Sequence, residues 1–186
     1  MKTKNRCAWC LKTPLYIKYH DEEWGHPVHN DKKLFEFLIL ESFQAGLSWL
    51  TILNKRENFR KAFAGFDAKK VAKFDRKKFN ALMKDEGIVR NRLKIEAAIN
   101  NAKCFLEIQK EFGSFDKYVW GFVNGKTVVN KRKSLNEIPA RTDVSDAMSA
   151  DMGKRGFKFR GSTICYAFMQ AVGMVDDHVA DCWRKK

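Results

Sequence analysis

Apolar residues recur at spacings of three and four along nearly the whole chain, and that period commits it to helices. Residues 31–43 read as a helix capped by Asn30 or Asp31, with Leu34, Phe37, Leu38 and Glu41 on one stripe. Gly46 interrupts. A second helix is predicted from about Ser48 to Phe63, burying Ile52, Leu53, Phe59 and Phe63. Asp67 and Asp75 read as caps of two short helices, residues 78–85 and 90–112 as a pair around Gly87, and Ser114 as the cap of 115–123. Asn124-Gly125 is a turn signal that opens a polar connector reaching about Thr142. Further helices are predicted at about 145–154, 162–173 and 176–184. Thr127-Val128-Val129 is the sole strand candidate and is too short to build a sheet. The expectation is a single all-α domain spanning residues 1–186, with no internal repeat or linker.

Composition narrows the function classes. With 45% hydrophobic and 13% aromatic residues the chain has material for a core and is not disordered. With 3 Pro and 11 Gly it is neither collagen-like nor of low complexity. No run of about 18 uncharged apolar residues is present, so no membrane span is expected. The basic start Met1-Lys2-Thr3-Lys4-Asn5-Arg6 is not followed by an apolar segment, so a signal peptide is not expected. Lys and Arg number 36 against 22 Asp and Glu, a net charge of +14, which attracts polyanions and points to nucleic acid. A solvated lysine surface is the plain alternative.

Five cysteines, Cys7, Cys10, Cys104, Cys165 and Cys182, argue against a disulfide framework and for the cytoplasm. Cys104 and Cys165 sit among apolar neighbours and read as small core residues. His178 and Cys182 are four apart in a predicted helix, a spacing that sets both on one face. Near the other end lie Cys7 and His20. Two Cys and two His suit tetrahedral Zn²⁺, with Cys10 a competing ligand. Such pairs also arise by chance, and the spacing matches no compact zinc finger. A four-residue site of this kind would be closed and structural, tying the two chain ends together.

Glu41 falls on an apolar stripe, so it is either buried, lining a cavity, or at the stripe's margin and reaching solvent. The following Gln44-Ala45-Gly46-Leu47-Ser48-Trp49 places a flexible Gly, an apolar Leu and a Trp beside it, and Tyr16, Tyr19 and Trp24 crowd the segment 15–25. A carboxylate among aromatic rings suits a flat, cationic or amino-bearing ring. The helix, turn and helix around Gly87 carry Arg90, Arg92 and Lys94 at the second helix's start, a basic site that would grip a nucleic-acid backbone irrespective of sequence. An ordinary connection with a solvated basic face is the alternative.

Taken together, these segments resemble the bacterial 3-methyladenine DNA glycosylase I family, within the helix-hairpin-helix glycosylase superfamily. The resemblance covers nearly the whole chain. It is carried by Cys7-Ala8-Trp9, the run Tyr16 to Gly25, Glu41, Gln44 to Trp49 and Lys55-Arg56-Glu57-Asn58. It continues in Arg155-Gly156-Phe157-Lys158-Phe159, Thr163-Ile164-Cys165-Tyr166 and Asp177-His178-Val179. It implies a helix-hairpin-helix at about residues 78–102 and one structural zinc held by Cys7, His20, His178 and Cys182, with Cys10 extra. It implies that Glu41 contacts a flipped base, that Tyr16, Tyr19 and Trp49 shape and stack the pocket, and that Gly46 and Leu47 fill the gap left in the duplex. The Gly87 turn, with Arg90, Arg92 and Lys94, would hold the backbone. The implied activity is monofunctional release of 3-methyladenine from alkylated double-stranded DNA by a monomer. Two positions depart from the superfamily pattern. Val89 stands where its hairpin has a second glycine, and Asn91 stands where bifunctional members carry a lysine nucleophile, so no lyase activity is expected. The superfamily's aspartate has no convincing match, although Asp116 lies in that region. A zinc-stapled basic module that only binds DNA or RNA is the competing reading, and a glycosylase of other lesions such as 3-methylguanine is a second.

Overall fold

The computed structural model describes residues 4–185. Nine α-helices carry the fold among these residues: α1 (Pro14–Glu22), α2 (Asp31–Gln44), α3 (Trp49–Ala62), α4 (Ala68–Val71), α5 (Arg76–Lys84), α6 (Arg92–Phe112), α7 (Phe115–Gly121), α8 (Asp143–Lys154) and α9 (Ser162–Ala171). The helical period is thus realised, with ends shifted by one or two residues from expectation. No helix is long and apolar enough to cross a membrane among the described residues.

Caps explain where the helices start. Asn30, Ser48, Asp67, Asp75, Asn91, Ser114 and Thr142 each accept a hydrogen bond from a first-turn amide of the helix that follows. Each such cap contributes roughly 1 kcal/mol. Asp31 acts at a distance instead: its carboxylate accepts from the Phe115 and Asp116 amides at 2.9 and 2.8 Å, joining the start of α2 to the start of α7.

The core is built around α2. Every residue from Leu34 to Phe43 is buried, because α3, α6, α7 and α9 all pack against this helix. A helix enclosed on all sides has no solvent-facing margin. The polar residues on it must therefore find partners. Glu36 does so with Arg56 at 2.6 Å and Arg60 at 2.7 Å, and Ser42 donates to the Leu38 carbonyl at 2.8 Å.

Two expectations are corrected. The chain at 176–184 is not a helix. Val175–Asp176 forms a strand, β2, paired in parallel with β1 (Val128–Val129), and Val179 bridges to Arg132. The short strand candidate therefore has a structural role, since backbone bonds from Val128 to the Met174 carbonyl and from Asn130 to the Asp176 carbonyl set the path of the last segment. Conversely α1 is a helix that the apolar period does not announce, opened by Thr13 as cap and Pro14 in the first turn. The described ends of the chain meet: Asn5 Nδ2 donates to the Asp181 carbonyl at 3.0 Å, and the Trp183 amide to the Asn5 carbonyl at 2.9 Å.

Candidate active site and the adjoining cysteine–histidine cluster

Glu41 sits in the last turns of α2 and is 4% exposed. It is at neither a margin nor a salt bridge. Burial alone pushes its carboxyl up to about 8, with no cation or hydrogen-bond donor opposing the shift. It opens instead onto a cavity of about 380 Å³, walled by Trp9, Tyr16, Tyr19, Trp24 and Trp49 and closed by Gln44, Leu135, Ile138, Ala167 and Gln170. The cavity is therefore formed by α1, α2, the start of α3, the connector after β1, and α9. Tyr19 and Trp49 approach at 5.4 Å between ring centroids and Trp9 and Tyr16 at 4.9 Å. The buried indole N–H of Trp49 has no partner among the described residues. An unpaired buried donor in a cavity wall is a place for a ligand acceptor.

The link between α2 and α3 is a tight turn. Ala45 (φ −45°, ψ 117°) and Gly46 (φ 75°) have type II geometry, and the Leu47 amide closes it on the Gln44 carbonyl at 2.6 Å. Gly46 is required by the positive φ. Leu47 stands at the rim, 38% exposed, an apolar side chain turned to solvent beside the cavity.

The turn from α5 to α6 gathers the predicted backbone-binding residues only in part. Gly87 packs on α3: a Cβ there would fall 3.0 Å from Asn58 Cβ, and its amide donates to Asp85 Oδ1 at 2.8 Å. Arg90 and Arg92 are exposed, each beside an acid four residues away, Glu86 at 3.2 Å and Glu96 at 3.6 Å. Lys94 does not belong with them. It is buried, and its ammonium donates to the Phe43 carbonyl at 2.8 Å and the Ala45 carbonyl at 2.6 Å. It caps the C-terminal end of α2, where a cation is favoured by the helix dipole, and so holds Glu41 and the Gly46 turn in place. The spacing Arg90, Arg92, Lys94 could not tell an inward residue from two outward ones. Lys94→Met is expected to lower stability by about 2 kcal/mol, read from chemical denaturation, because two carbonyls lose a charged donor. Unchanged stability would contradict the capping role.

Behind the cavity's aromatic wall lie the predicted metal ligands. Cys7, His20 and Cys182 each bring one ligand atom within 4.8 Å of the others, all buried. His178 stands outside that set, although its ring lies 5.1 Å from that of His20 and its buried Nε2 has no partner. Both histidines are oriented by a carboxylate on Nδ1, His20 by Asp21 at 2.9 Å and His178 by Asp176 at 2.8 Å. With Nδ1 so engaged, His20 turns its Nε2 to Cys182 Sγ at 3.5 Å, the usual outer-shell arrangement of a metal-binding histidine. Cys10 is not part of the set; its thiol donates to the Cys7 carbonyl at 3.1 Å. Burial pushes the Cys7 thiol up to about 12, and the neighbouring Cys182 adds to the rise. His178 and Cys182 arrive on an extended segment and turn, not on one helix face. Trp24 joins cluster and cavity: its ring meets His178 at 4.6 Å and Trp9 at 5.0 Å.

Asp116 takes no part in the cavity; it pairs with His29 at 2.8 Å on α7. Gln170, Leu135, Ile138 and Ala167 complete the lining without any signal in the sequence. They come from α9 and the polar connector, and nothing in their local pattern marks them.

A family model described as methyladenine glycosylase matches residues 9–185. The chain is 51% identical to DNA-3-methyladenine glycosylase 1 of Escherichia coli over 177 residues, covering 95% of each chain. It is 49% identical to DNA-3-methyladenine glycosylase of Haemophilus influenzae, covering 95% of this chain and 96% of that one. A crystal structure of 3-methyladenine DNA glycosylase I superposes with a TM-score of 0.95 at 46% identity, covering 98% of this chain and 100% of the other. The Staphylococcus aureus enzyme, solved to explain 3-methyladenine recognition, superposes with a TM-score of 0.94 at 40% identity, covering 98% of this chain and 97% of that one.

Proposed function

The chain belongs to the methyladenine glycosylase family, and from that premise we propose that it is a monofunctional DNA glycosylase that flips 3-methyladenine out of alkylated duplex DNA and hydrolyses its glycosidic bond. One observation carries the reading: a buried carboxylate, Glu41, without a partner among the described residues, lining a cavity of aromatic rings.

A base cannot be reached inside a duplex, so it is extruded into the cavity. Leu47, projecting from the Gly46 turn at the rim, fills the gap it leaves. Tyr16, Tyr19 and Trp49 offer aromatic faces to the base, and such faces favour a cationic ring over the neutral adenine present in vast excess. Glu41, ionised against that cation, adds the same preference and accepts from the exocyclic amine. When the C–N bond to the sugar breaks, the bonding pair goes to the base, which leaves neutral. Water then adds to the cationic sugar carbon and gives its proton to solvent. Little acid catalysis is needed, because methylation has already made the base a good leaving group. With Asn91 in place of a lysine, no Schiff base forms and the strand stays uncut. Arg90 and Arg92, exposed beside the Gly87 turn, supply a sequence-blind hold on the phosphates in a hairpin-type grip, and the net charge of +14 supplies salt-sensitive attraction.

Cys7, His20, His178 and Cys182 would hold one zinc ion: two thiols and two imidazoles are a donor set Zn²⁺ prefers, His20 Nε2 already meets Cys182 Sγ at 3.5 Å, and His178 Nε2 is buried with no partner among the described residues. Held by four protein ligands, the ion would supply cross-linking and no chemistry. The protein is taken to act as a monomer in the cytoplasm; free cysteines throughout are in keeping with a reducing compartment.

The test is base release from methylated duplex DNA. The expected result is liberated 3-methyladenine with intact strands until the abasic sites are cleaved by alkali. Binding without release would favour the non-enzymatic reading.

A further inference from the structure

The segment from Ala68 to Lys78, which forms α4 and opens α5, carries six cations, Lys69, Lys70, Lys73, Arg76, Lys77 and Lys78, and one acid, Asp75. Asp75 is occupied as the cap of α5, its Oδ1 accepting from the Lys78 amide at 2.7 Å. None of the six cations has an ion pair among the described residues, and all but Lys78 are exposed. Like charges gathered in this way repel one another and weaken the fold, and nothing within the fold balances them.

The ridge is continuous with the turn at Gly87. Arg76 and Arg92 stand against one ring, their guanidinium carbons 5.1 and 5.4 Å from the Phe79 centroid. From there the charge runs along α5 to α4, where Lys69 lines a cleft together with Lys103 and Lys110 of α6. The acid of that cleft, Glu107, is already paired with Lys110 at 2.6 Å. Lys103 and Lys110 follow Arg92 on the one helix α6, so at 1.5 Å per residue they stand about 17 and about 27 Å from it, the length of roughly 5 to 8 base pairs.

The make-up of the ridge selects its partner. No large apolar side chain of the segment is exposed: Val71 is buried, and the Lys78 ammonium covers the Phe74 ring at 5.3 Å. Nothing is there to insert into a lipid surface or to anchor a protein partner. What remains is a row of ammonium and guanidinium groups, which engage phosphate and read no sequence. We propose that the α4–α5 ridge extends the DNA interface, holding phosphates of the same duplex roughly 5 to 8 base pairs beyond the Gly87 turn. The assignment rests on the reading of that turn as a grip on DNA. Its use lies in the search for damage, since contacts that depend on charge alone let a protein slide and hop along the duplex.

Lys70, Lys73 and Lys77 are exposed and line no part of the base cavity, so replacing all three with glutamine removes charge while keeping helical propensity. Binding is measured across a salt series on duplexes centred on a stable abasic-site analogue, with arms of about 5 or about 15 base pairs on each side. Longer arms are expected to strengthen wild-type binding and to steepen its salt dependence. On the long duplex the triple variant should show a slope shallower by about 2–3, at roughly 0.9 per lost phosphate contact, and an affinity about 10-fold lower near 50 mM salt. On the short duplex the two proteins should agree. A wild type that gains nothing from longer arms, a variant that gains as much as wild type, or an equal loss on both duplexes overturns the assignment. Lys77→Gln alone carries the comparison, at about a third of the effect, should the triple variant not fold. A variant that binds both duplexes as wild type does but loses binding to vesicles rich in anionic lipid shows that the ridge serves a membrane surface, and the assignment falls. Base release reports on the enzymatic reading separately: a chain that shows the length effect and frees no 3-methyladenine keeps the ridge and loses the glycosylase function.

Discussion

Glu41→Gln is expected to cut the excision of 3-methyladenine by at least about 100-fold while making the protein more stable at neutral and mildly alkaline pH. Both effects come from one fact, a carboxylate buried without a partner. Its carboxyl lies at about 8 in the folded chain, against roughly 4.3 when unfolded. A group whose folded value is raised supports folding fully below the unfolded value and loses that support as pH rises through the folded one. Stability should therefore decline between about pH 4.5 and 8 and level off above, with a total on the order of 3–5 kcal/mol from this group. The glutamine variant lacks this decline. Denaturant unfolding at pH 5 and pH 8 measures it: the wild type should lose several kcal/mol more than the variant between the two. Parallel curves for the two proteins would sink the account, as would undiminished release of 3-methyladenine in single-turnover assays. An isosteric, more stable and nearly inactive variant is the signature of a residue kept for recognition at the expense of the fold.

Loss of a proposed metal ligand is expected to have the second large effect. Cys182→Ser should bind no zinc and unfold about 10–20 °C lower than wild type, equivalent to about 5 kcal/mol for a chain of this length. Cys10→Ser should retain one ion per chain, because the Cys10 thiol is turned to the Cys7 carbonyl and lies outside the ligand cluster. Metal analysis of the two purified variants separates the cases. One ion per chain in Cys182→Ser, or none in Cys10→Ser, would show that the ligand set is wrong. Hydrogen exchange should locate the damage at residues 4–11 and 179–185, the two segments that the cluster and the Asn5 bonds hold together. Because Trp24 touches both His178 and Trp9, Cys182→Ser should also weaken the binding of free 3-methyladenine.

Local rules made much of this fold legible. Asp67, Asp75 and Ser114 announce helix starts because a short polar side chain can close onto amides three residues on, an interaction complete within one turn. Gly46 announces its turn for the same reason, the positive φ being a property of one residue. His178 lies four residues from Cys182, a helical spacing, but Val175–Asp176 finds a partner strand at Val128–Val129, and that distant pairing overrides the local period. Lys94 failed differently. Its sequence neighbours Arg90 and Arg92 are solvent-exposed, and only the approach of α6 to the end of α2 turns it inward.

What the sequence by itself determined is therefore a helical chain, its punctuation, its positive charge and the residue types of two candidate sites. These follow from interactions that span a turn or from sums over composition. The tertiary structure decided the rest. It made Glu41 a partnerless buried acid by enclosing α2 on every side while giving the nearby cations to Glu36. It separated Lys94 from Arg90 and Arg92, left Cys10 out of the cluster, and brought Gln170 to the cavity wall. A side chain's burial and partners depend on what the other helices place around it, and no local period encodes that.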